Sequence, residues 1–293
     1  KPVVTPDGTA STDVDRTGTD EPDALGRTRR KYCYNILVSG LDDDNGGSDT
    51  NILVRFDVPN KRIDLVSLPR DTLLHNEYRN NKLNFAYAKG GTELLMEQIE
   101  NLLGIPVDFY VTVNLKGFIA LVDQIDGVDF DIPINMDYDD PYQDLHIHFT
   151  KGPRHLNGQE AMEVVRFRHN NDGTGYGTED IGRIGTQQAF LKAVAKQLLQ
   201  IGNVKNIPAL VDIFYTYVKT DLTTGNLVWL GNEALNIGTE NIHFATLPGD
   251  GSGYYNKQSV YVLDAQATCD LVNEALNPYN EALTLEDMDI LVP

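Results

Sequence analysis

The sequence predicts an α/β protein in which a mixed central sheet is covered by helices on both faces, an α/β/α sandwich. Three observations carry that expectation. Short apolar runs of strand length interleave with amphipathic helical stretches from Tyr34 onward. Two of the runs are joined by Val58-Pro59-Asn60-Lys61, a hairpin connection, so the sheet is not purely parallel. Hydrophobic residues make up 41% of the 293-residue chain and charged residues 23%, which suffices for a sizeable core.

Residues 1–32 are rich in Thr, Asp, Gly and Pro and read as a flexible tether, leaving 33–293 as the folded domain. The chain begins at Lys1 rather than Met, consistent with removal of a targeting segment. Residues 35–40 are a continuous apolar run expected of a buried strand, and 51–57 and Arg62–Leu68 are the next two strands. Thr92 is placed to cap a helix over 92–103, with Leu95, Ile99 and Leu102 on one stripe and Gly104 as its stop. A strand at 108–114, a helix at 115–125 and a strand at Val128–Ile132 follow. Residues 135–156 read as an irregular excursion with one extended piece near 146–149. Asn157 then caps a helix, and Glu160 three residues on completes a capping-box pattern. The longest helix is expected over Glu179–Gln200, its stripe of Ile181, Ile184, Leu191, Val194 and Leu198 packing on a sheet. The remainder alternates short pieces, with an extended segment at 242–247 and a last helix near 265–276.

Charge narrows the function classes. A formal charge of −19 disfavours nucleic acid as the main partner, because a phosphate backbone recruits basic surface. All twelve arginines lie at or before Arg183, and the last 110 residues have none. An acidic body that gathers its arginines in this way is suited to a local anion site. Cys33 and Cys269 are too few for a disulfide framework or a structural zinc site, and two unpaired buried thiols are expected rather than a pair.

Three clusters of chemistry-bearing residues stand out. Gly40 to Thr50 is a loop rich in Gly and Asp between two buried strands. Its carboxylates, Asp42, Asp43, Asp44 and Asp49, are well placed to hold a hard cation such as Mg²⁺, and a polar turn with no metal is the plainer reading of the same residues. Its spacing is not that of an EF-hand. Ser67-Leu68-Pro69-Arg70-Asp71 follows an apolar strand directly, and Pro69 fixes the direction in which Arg70 leaves the sheet. The third cluster is Arg166 and Arg168, then Asp180, Arg183 and Gln187. An extended segment at 165–168 puts Arg166 and Arg168 on one face, and Arg183 and Gln187 share a helix face four residues apart. Guanidinium groups on neighbouring elements suit a bidentate grip on pyrophosphate. Ordinary surface salt bridges fit this third set equally well. His146 and His148 are two apart in the short extended piece, but no third metal ligand is evident and a solvent face is expected. There is no Ser-His-Asp order, nucleophile elbow, P-loop or dinucleotide fingerprint.

Taken in order, the motifs resemble the LytR-CpsA-Psr family from about Tyr34 to the C-terminus. They are Gly40-Leu41-Asp42, Ser48-Asp49-Thr50, Ser67 to Asp71, and Lys82-Leu83-Asn84-Phe85-Ala86-Tyr87 before Gly90-Gly91. His155 to Ala161, leading to Arg166 and Arg168, and Asp180-x-x-Arg183 with Gln187-Gln188 complete the series. The resemblance implies an apolar cleft for a polyprenyl tail between the sheet and its helices. It also implies a phosphotransferase that moves a glycopolymer from a polyprenyl-pyrophosphate carrier to a peptidoglycan sugar hydroxyl outside the cell. A membrane anchor preceding the tether is implied as well. Asp42 and Asp49 would hold Mg²⁺ or Mn²⁺. Arg70, Lys82, Arg166, Arg168, Arg183 and Gln187 would bind the pyrophosphate, with Arg70, Asp71 and Asp42 as catalytic residues. Three positions depart from the family pattern. Gly47 and Thr186 stand where Arg is usual, and Phe85 where His is common. A protein that binds or hydrolyses polyprenyl pyrophosphate without transferring a polymer is the alternative.

Overall fold

The structure is a computed structural model that describes residues 22–41, 46–142, 144–177, 179–200 and 214–292, with the side chains of the helix at 179–200 described from 182 to 197. The chain divides into two compact units, residues 1–113 with 219–293 and residues 114–218.

The first unit is built on a six-stranded mixed sheet. Its strands are β1 (Cys33–Leu41), β2 (Ser48–Asp57), β3 (Arg62–Leu68), β4 (Phe109–Val113), β9 (Val218–Thr220) and β10 (Ile242–Thr246), in the order β10-β3-β2-β1-β4-β9. β2 pairs antiparallel with β1 and β3, through the expected hairpin. β4 on β1 and β10 on β3 are parallel, so the sheet is mixed as the sequence predicts. The period of two sorts its side chains. Leu37, Leu53 and Val66 are cross-strand partners, fully buried in one core with α1 (Leu83–Leu103) and α6 (Ala265–Ala275). Tyr34, Ile36 and Phe109 face the other way, against Leu230 and Trp229 of α5 (Thr224–Ile237). Helices therefore cover both faces of this sheet. A hairpin of β11 (Gly249–Tyr255) and β12 (Gln258–Leu263) adds Tyr261 and Leu263 to the first core.

The second unit contains α2 (Leu115–Gln124), α3 (Gly158–Arg166) and α4 (Glu179–Gln200), with two strand pairs. β5 (Val128–Ile132) pairs with β8 (Gly152–Leu156), and β6 (Met136–Asp140) with β7 (Leu145–Phe149), both antiparallel. Its core gathers Val128, Ile132, Met136, Ile147, Leu156, Phe167 and Phe190.

Several sequence expectations need correction. The helix expected over 92–103 is present and ends at Gly104, but a further helical stretch from Leu83, not expected, precedes it, and the non-helical backbone of Gly90 and Gly91 separates the two. Gly91 sits at φ 65°, a region open to glycine at little cost, so two helical stretches meet there. Residues 135–156 are not irregular but contain β6, β7 and β8. Aspartates on the exposed positions of β6 hide its alternation from a propensity argument, since Asp is depleted in strands. Residues 23–31, assigned to the tether, dock on the first unit. Arg29 forms a two-pronged ion pair with Asp108, Arg30 Nη1 lies 2.6 Å from Asp57, and Arg27 stacks 4.3 Å over the Tyr279 ring. Arg27, Arg29 and Arg30 are thus each matched to particular carboxylates, Arg27 to Asp23 and Asp287. The long helix has its predicted bounds, with Ile184 buried, yet among its described side chains the deepest is Phe190, which the predicted stripe omits; Ile181 and Leu198 lie outside those described.

Cys33 and Cys269 are both free and buried. Burial pushes the Cys33 thiol pKa up to about 11 and raises that of Cys269 as well. Thiolate is the nucleophile, so neither side chain should react with a maleimide at neutral pH until the protein is unfolded. Counting labels by mass before and after adding denaturant checks this. A label on the native protein would contradict it.

Candidate functional site

The loop-and-strand motifs of the first unit meet at one end of the sheet. In the β2–β3 register Asn51 pairs with Leu68, so the antiparallel ladder, continued two residues outward, sets Asp49 opposite Arg70. The side chains meet there, with Arg70 Nη1 donating to Asp49 Oδ1 at 2.5 Å. Pro69 ends β3, and the turn after it is fixed through its carbonyls. Thr72 donates to Pro69 O by both its N–H and its hydroxyl, Asn84 N donates to Arg70 O, and Tyr261 N donates to Asp71 O. No carbonyl of this turn is left to water, which holds the backbone in one arrangement.

The next ten residues loop out and return. Leu73 bridges Lys82, and Leu74 N donates to Asn81 O. Lys82 is thereby returned as the residue preceding α1. Its ammonium lies 3.2 Å from Asp71 Oδ1, while Arg70 Nε lies 3.7 Å from the same oxygen. The result is a continuous alternation of charge, Asp49–Arg70–Asp71–Lys82. Each side chain is partly exposed, between 19% and 34%. Asp71 Oδ1 is itself buried and lacks an aligned hydrogen-bond donor, so Lys82 serves it as an ion pair. Behind the cluster, Ser39 Oγ donates to Asn51 Oδ1 and Asn51 Nδ2 to Ser48 O, pinning the end of β1 to the start of β2. Asp42 lies outside the described residues.

In the second unit, the predicted extended segment at 165–168 is replaced by the last turn of α3. Arg166 is helical, Phe167 caps the helix at φ −57°, ψ 134°, and Arg168 lies beyond it, so the expected shared strand face does not form. The capping box at Asn157 and Glu160 is present and starts a helix that buries Ala161, Met162 and Val164. That apolar spacing overrides the Arg-x-Arg alternation. Gln187 of α4 donates its Nε2 to Val165 O at 3.1 Å, a carbonyl near the C-terminus of α3. Gln187 thus ties α4 to the helix end that carries Arg166. Arg183 is 4% exposed. The departure at Thr186 has a structural account. Thr186 is buried, its hydroxyl donates to Tyr176 Oη at 2.8 Å, and the Tyr176 ring packs where a Cβ on Gly182 would stand 2.2 Å from the tyrosine Cβ. Glycine at 182 makes room for that ring. Asp180 carries no described side chain.

Sequence reasoning missed Thr72 and Asn51, the two polar residues that support the cluster from behind. Both are fully buried polar residues directly beside the motifs, and an Asn inside the apolar run of β2 was the available signal.

Fold and cluster together define a mixed-sheet α/β protein with carboxylate and cationic side chains alternating at a strand end, a combination suited to a phosphate group. A family model described as the LytR_cpsA_psr family matches residues 5–277, and the chain belongs to the LytR-CpsA-Psr family. It is 32% identical over 252 residues to TagV of Bacillus subtilis (strain 168), a polyisoprenyl-teichoic acid–peptidoglycan teichoic acid transferase, covering 82% of this chain and 62% of that protein. It therefore spans less than two thirds of TagV. Similarity to the Bacillus cereus (strain ATCC 14579) transferase TagU is 31% over 267 residues, 89% of this chain and 83% of that protein. The regulatory protein MsrR of Staphylococcus aureus (strain COL) is 31% identical over 219 residues, 73% of this chain and 64% of MsrR. The crystal structure of B. subtilis TagV superposes with a TM-score of 0.72 at 27% identity, covering 90% of this chain and all of that one.

Proposed function

We propose that this chain is an extracytoplasmic phosphotransferase that moves a glycopolymer from a polyprenyl-pyrophosphate carrier to a sugar hydroxyl of peptidoglycan. The observation that carries the proposal is the Asp49–Arg70–Asp71–Lys82 chain of charge, in a protein of this family. Arg70 is oriented by Asp49 and contributes a planar donor fork toward a pyrophosphate oxygen. Lys82, beside Asp71, adds a second cation. Arg166, Arg168 and Arg183 are assigned to further anion contacts, and Gln187 to positioning Arg166 through Val165. An apolar cleft between sheet and helices is assigned to the polyprenyl tail, and an anchor preceding the chain to holding the protein at the membrane. Among the described residues no helix is long and apolar enough to cross a membrane.

In the proposed step the acceptor hydroxyl oxygen bonds to the sugar-side phosphorus. The bridging P–O bond breaks, and its electron pair leaves with polyprenyl phosphate. The hydroxyl proton passes to the outer oxygen of the Asp71 carboxylate, whose side chain is 34% exposed. Arg70 meets the charge that develops on the phosphate oxygens, the interaction that lowers the barrier in this class of chemistry. The donor set fits a hard dication: the Asp49 carboxylate, and Asp42 by sequence, would hold Mg²⁺ or Mn²⁺. When bound, such an ion supplies neutralisation of the pyrophosphate charge.

The base assignment has its own test. Asp71→Asn keeps the size and the turn, so kcat should fall by about 10²- to 10³-fold with little change in KM. Full turnover in Asp71→Asn would remove Asp71 from the mechanism. The resemblance to MsrR, a protein named as regulatory, supports a second reading in which the chain binds or hydrolyses the carrier. Omitting the peptidoglycan acceptor separates them, since hydrolysis proceeds without it and transfer does not.

A further inference from the structure

Strand β7 carries His146 and His148 two residues apart, so both imidazoles leave the solvent-facing side of the β6–β7 hairpin. The opposite side is anchored: Met136, Leu145, Ile147 and Phe149 are buried in the core of the second unit. The sequence offers no third ligand, but the antiparallel register does. Asp139 stands opposite His146, and Asp137 opposite His148. Asp139 Oδ1 lies 2.5 Å from His146 Nδ1 and 3.4 Å from His148 Nε2. All three residues place a donor atom within 4.8 Å of the others. Around a tetrahedral ion with bonds of about 2.0 Å, ligand atoms stand about 3.3 Å apart. The longer edge already has that length, and the shorter is a hydrogen bond that a small side-chain rotation opens.

The carboxylate that completes the set is held in place from behind. Asp137 N donates to Asn170 Oδ1 at 2.7 Å and Asp139 N donates to Asn171 Oδ1 at 2.6 Å. Asn171 returns two bonds, from Nδ2 to Asp139 O and from N to Asp137 O. The loop at 170–171 therefore fixes the backbone on which Asp139 rides, the kind of support that keeps metal ligands in position. Single His–Asp pairs occur elsewhere, at His155–Asp129 and His75–Asp289, but neither brings a second imidazole. Only at the hairpin, among the described residues, do two histidines share one carboxylate.

We propose that Asp139, His146 and His148 form a binding site for one transition-metal dication of the zinc class. Imidazole nitrogen favours Zn²⁺, Cu²⁺ or Ni²⁺, whereas Mg²⁺ takes oxygen ligands, so this site and the one assigned to Asp42 and Asp49 select different ions. Asp144, whose Oδ1 is 3.5 Å from His146 Nε2, adds a further carboxylate at the rim. The bound ion acts as a cross-strand clip on the hairpin.

Calorimetric titration of Zn²⁺ into the chain, in buffer with excess Mg²⁺ to fill hard-cation sites, tests the proposal. One Zn²⁺ should bind per chain. The double variant His146→Gln/His148→Gln and the single variant Asp139→Asn should each weaken it by about tenfold or more. His155→Gln should bind as the unsubstituted protein does. The substituted side chains are about half exposed, so folding should persist, and thermal melts in chelator verify that for each variant. Absence of Zn²⁺ uptake, unchanged affinity in the double variant, or loss of binding in His155→Gln would each overturn the assignment.

Discussion

Replacing Arg70 with alanine lowers kcat/KM for polymer transfer by about 10³-fold, or about 4 kcal/mol of transition-state stabilisation, while the protein stays folded. The magnitude follows from the place of the guanidinium. It is held by Asp49 at 2.5 Å, its backbone carbonyl is satisfied by Asn84 N–H, and about a quarter of its side chain reaches solvent. It is thus preorganised for an anion and contributes little to the core. Removal also leaves Asp49 and Asp71 without the cation between them, so like charges repel where the pyrophosphate must dock. Lysine at 70 restores the charge but not the planar fork and should recover only a small part of the rate. Steady-state kinetics of the unsubstituted protein, Arg70→Ala and Arg70→Lys, with circular dichroism on each, check the prediction. Loss of less than tenfold in Arg70→Ala would show that the guanidinium does not meet the reacting phosphate.

The largest expected effect on stability lies toward the other end of the same two strands. Arg55 and Asp64, cross-strand partners on β2 and β3, are buried and joined at 2.7 Å, and Arg62 contacts the same carboxylate. Asp64→Ala removes the counter-charge and leaves the Arg55 guanidinium inside the fold, where one backbone carbonyl, that of Asn277, remains at 3.4 Å. Breaking such a pair from one side costs about 3–5 kcal/mol, because the remaining ion keeps its desolvation penalty without the attraction that offset it. Replacing both partners, as Arg55→Met with Asp64→Leu, should recover much of the loss. Urea denaturation of the three proteins measures this through the midpoint at constant slope. An Asp64→Ala variant within about 1 kcal/mol of the unsubstituted protein would show that the pair is hydrated rather than buried.

Much of this was legible in the sequence, for identifiable reasons. The strands of the central sheet are apolar runs bounded by Gly, Pro and Asp, and the β2–β3 connection carries its own turn chemistry. The capping box at Asn157 and the glycine stop at Gly104 marked helix ends through hydrogen bonds that depend only on neighbouring residues. Asp49, Arg70, Asp71 and Lys82 were named from their motifs, and the sheet register brings them together. What failed was decided by tertiary context. Arg166-Phe167-Arg168 alternates like a strand, but Phe167 is needed in the core at the end of α3. The tether assignment does not hold at Arg29 and Arg30, which find Asp108 and Asp57, carboxylates distant in sequence, while residues 1–21 lie outside the described residues. The third ligand for His146 and His148 came from a strand whose aspartates disguised it. Local patterns are readable where the chain satisfies itself, and are lost where the partner is remote.

The measurement that bears most directly on the central claim is a reconstituted reaction. It combines the chain, a labelled polyprenyl-pyrophosphate-linked saccharide and peptidoglycan fragments, first with Mg²⁺ and then with a chelator. The proposed mechanism predicts a phosphodiester-linked saccharide on the peptidoglycan and release of polyprenyl phosphate in equal amount, both lost with chelator and in Arg70→Ala. Donor that binds tightly but yields no linked product, or releases its saccharide phosphate equally well without acceptor, would contradict it.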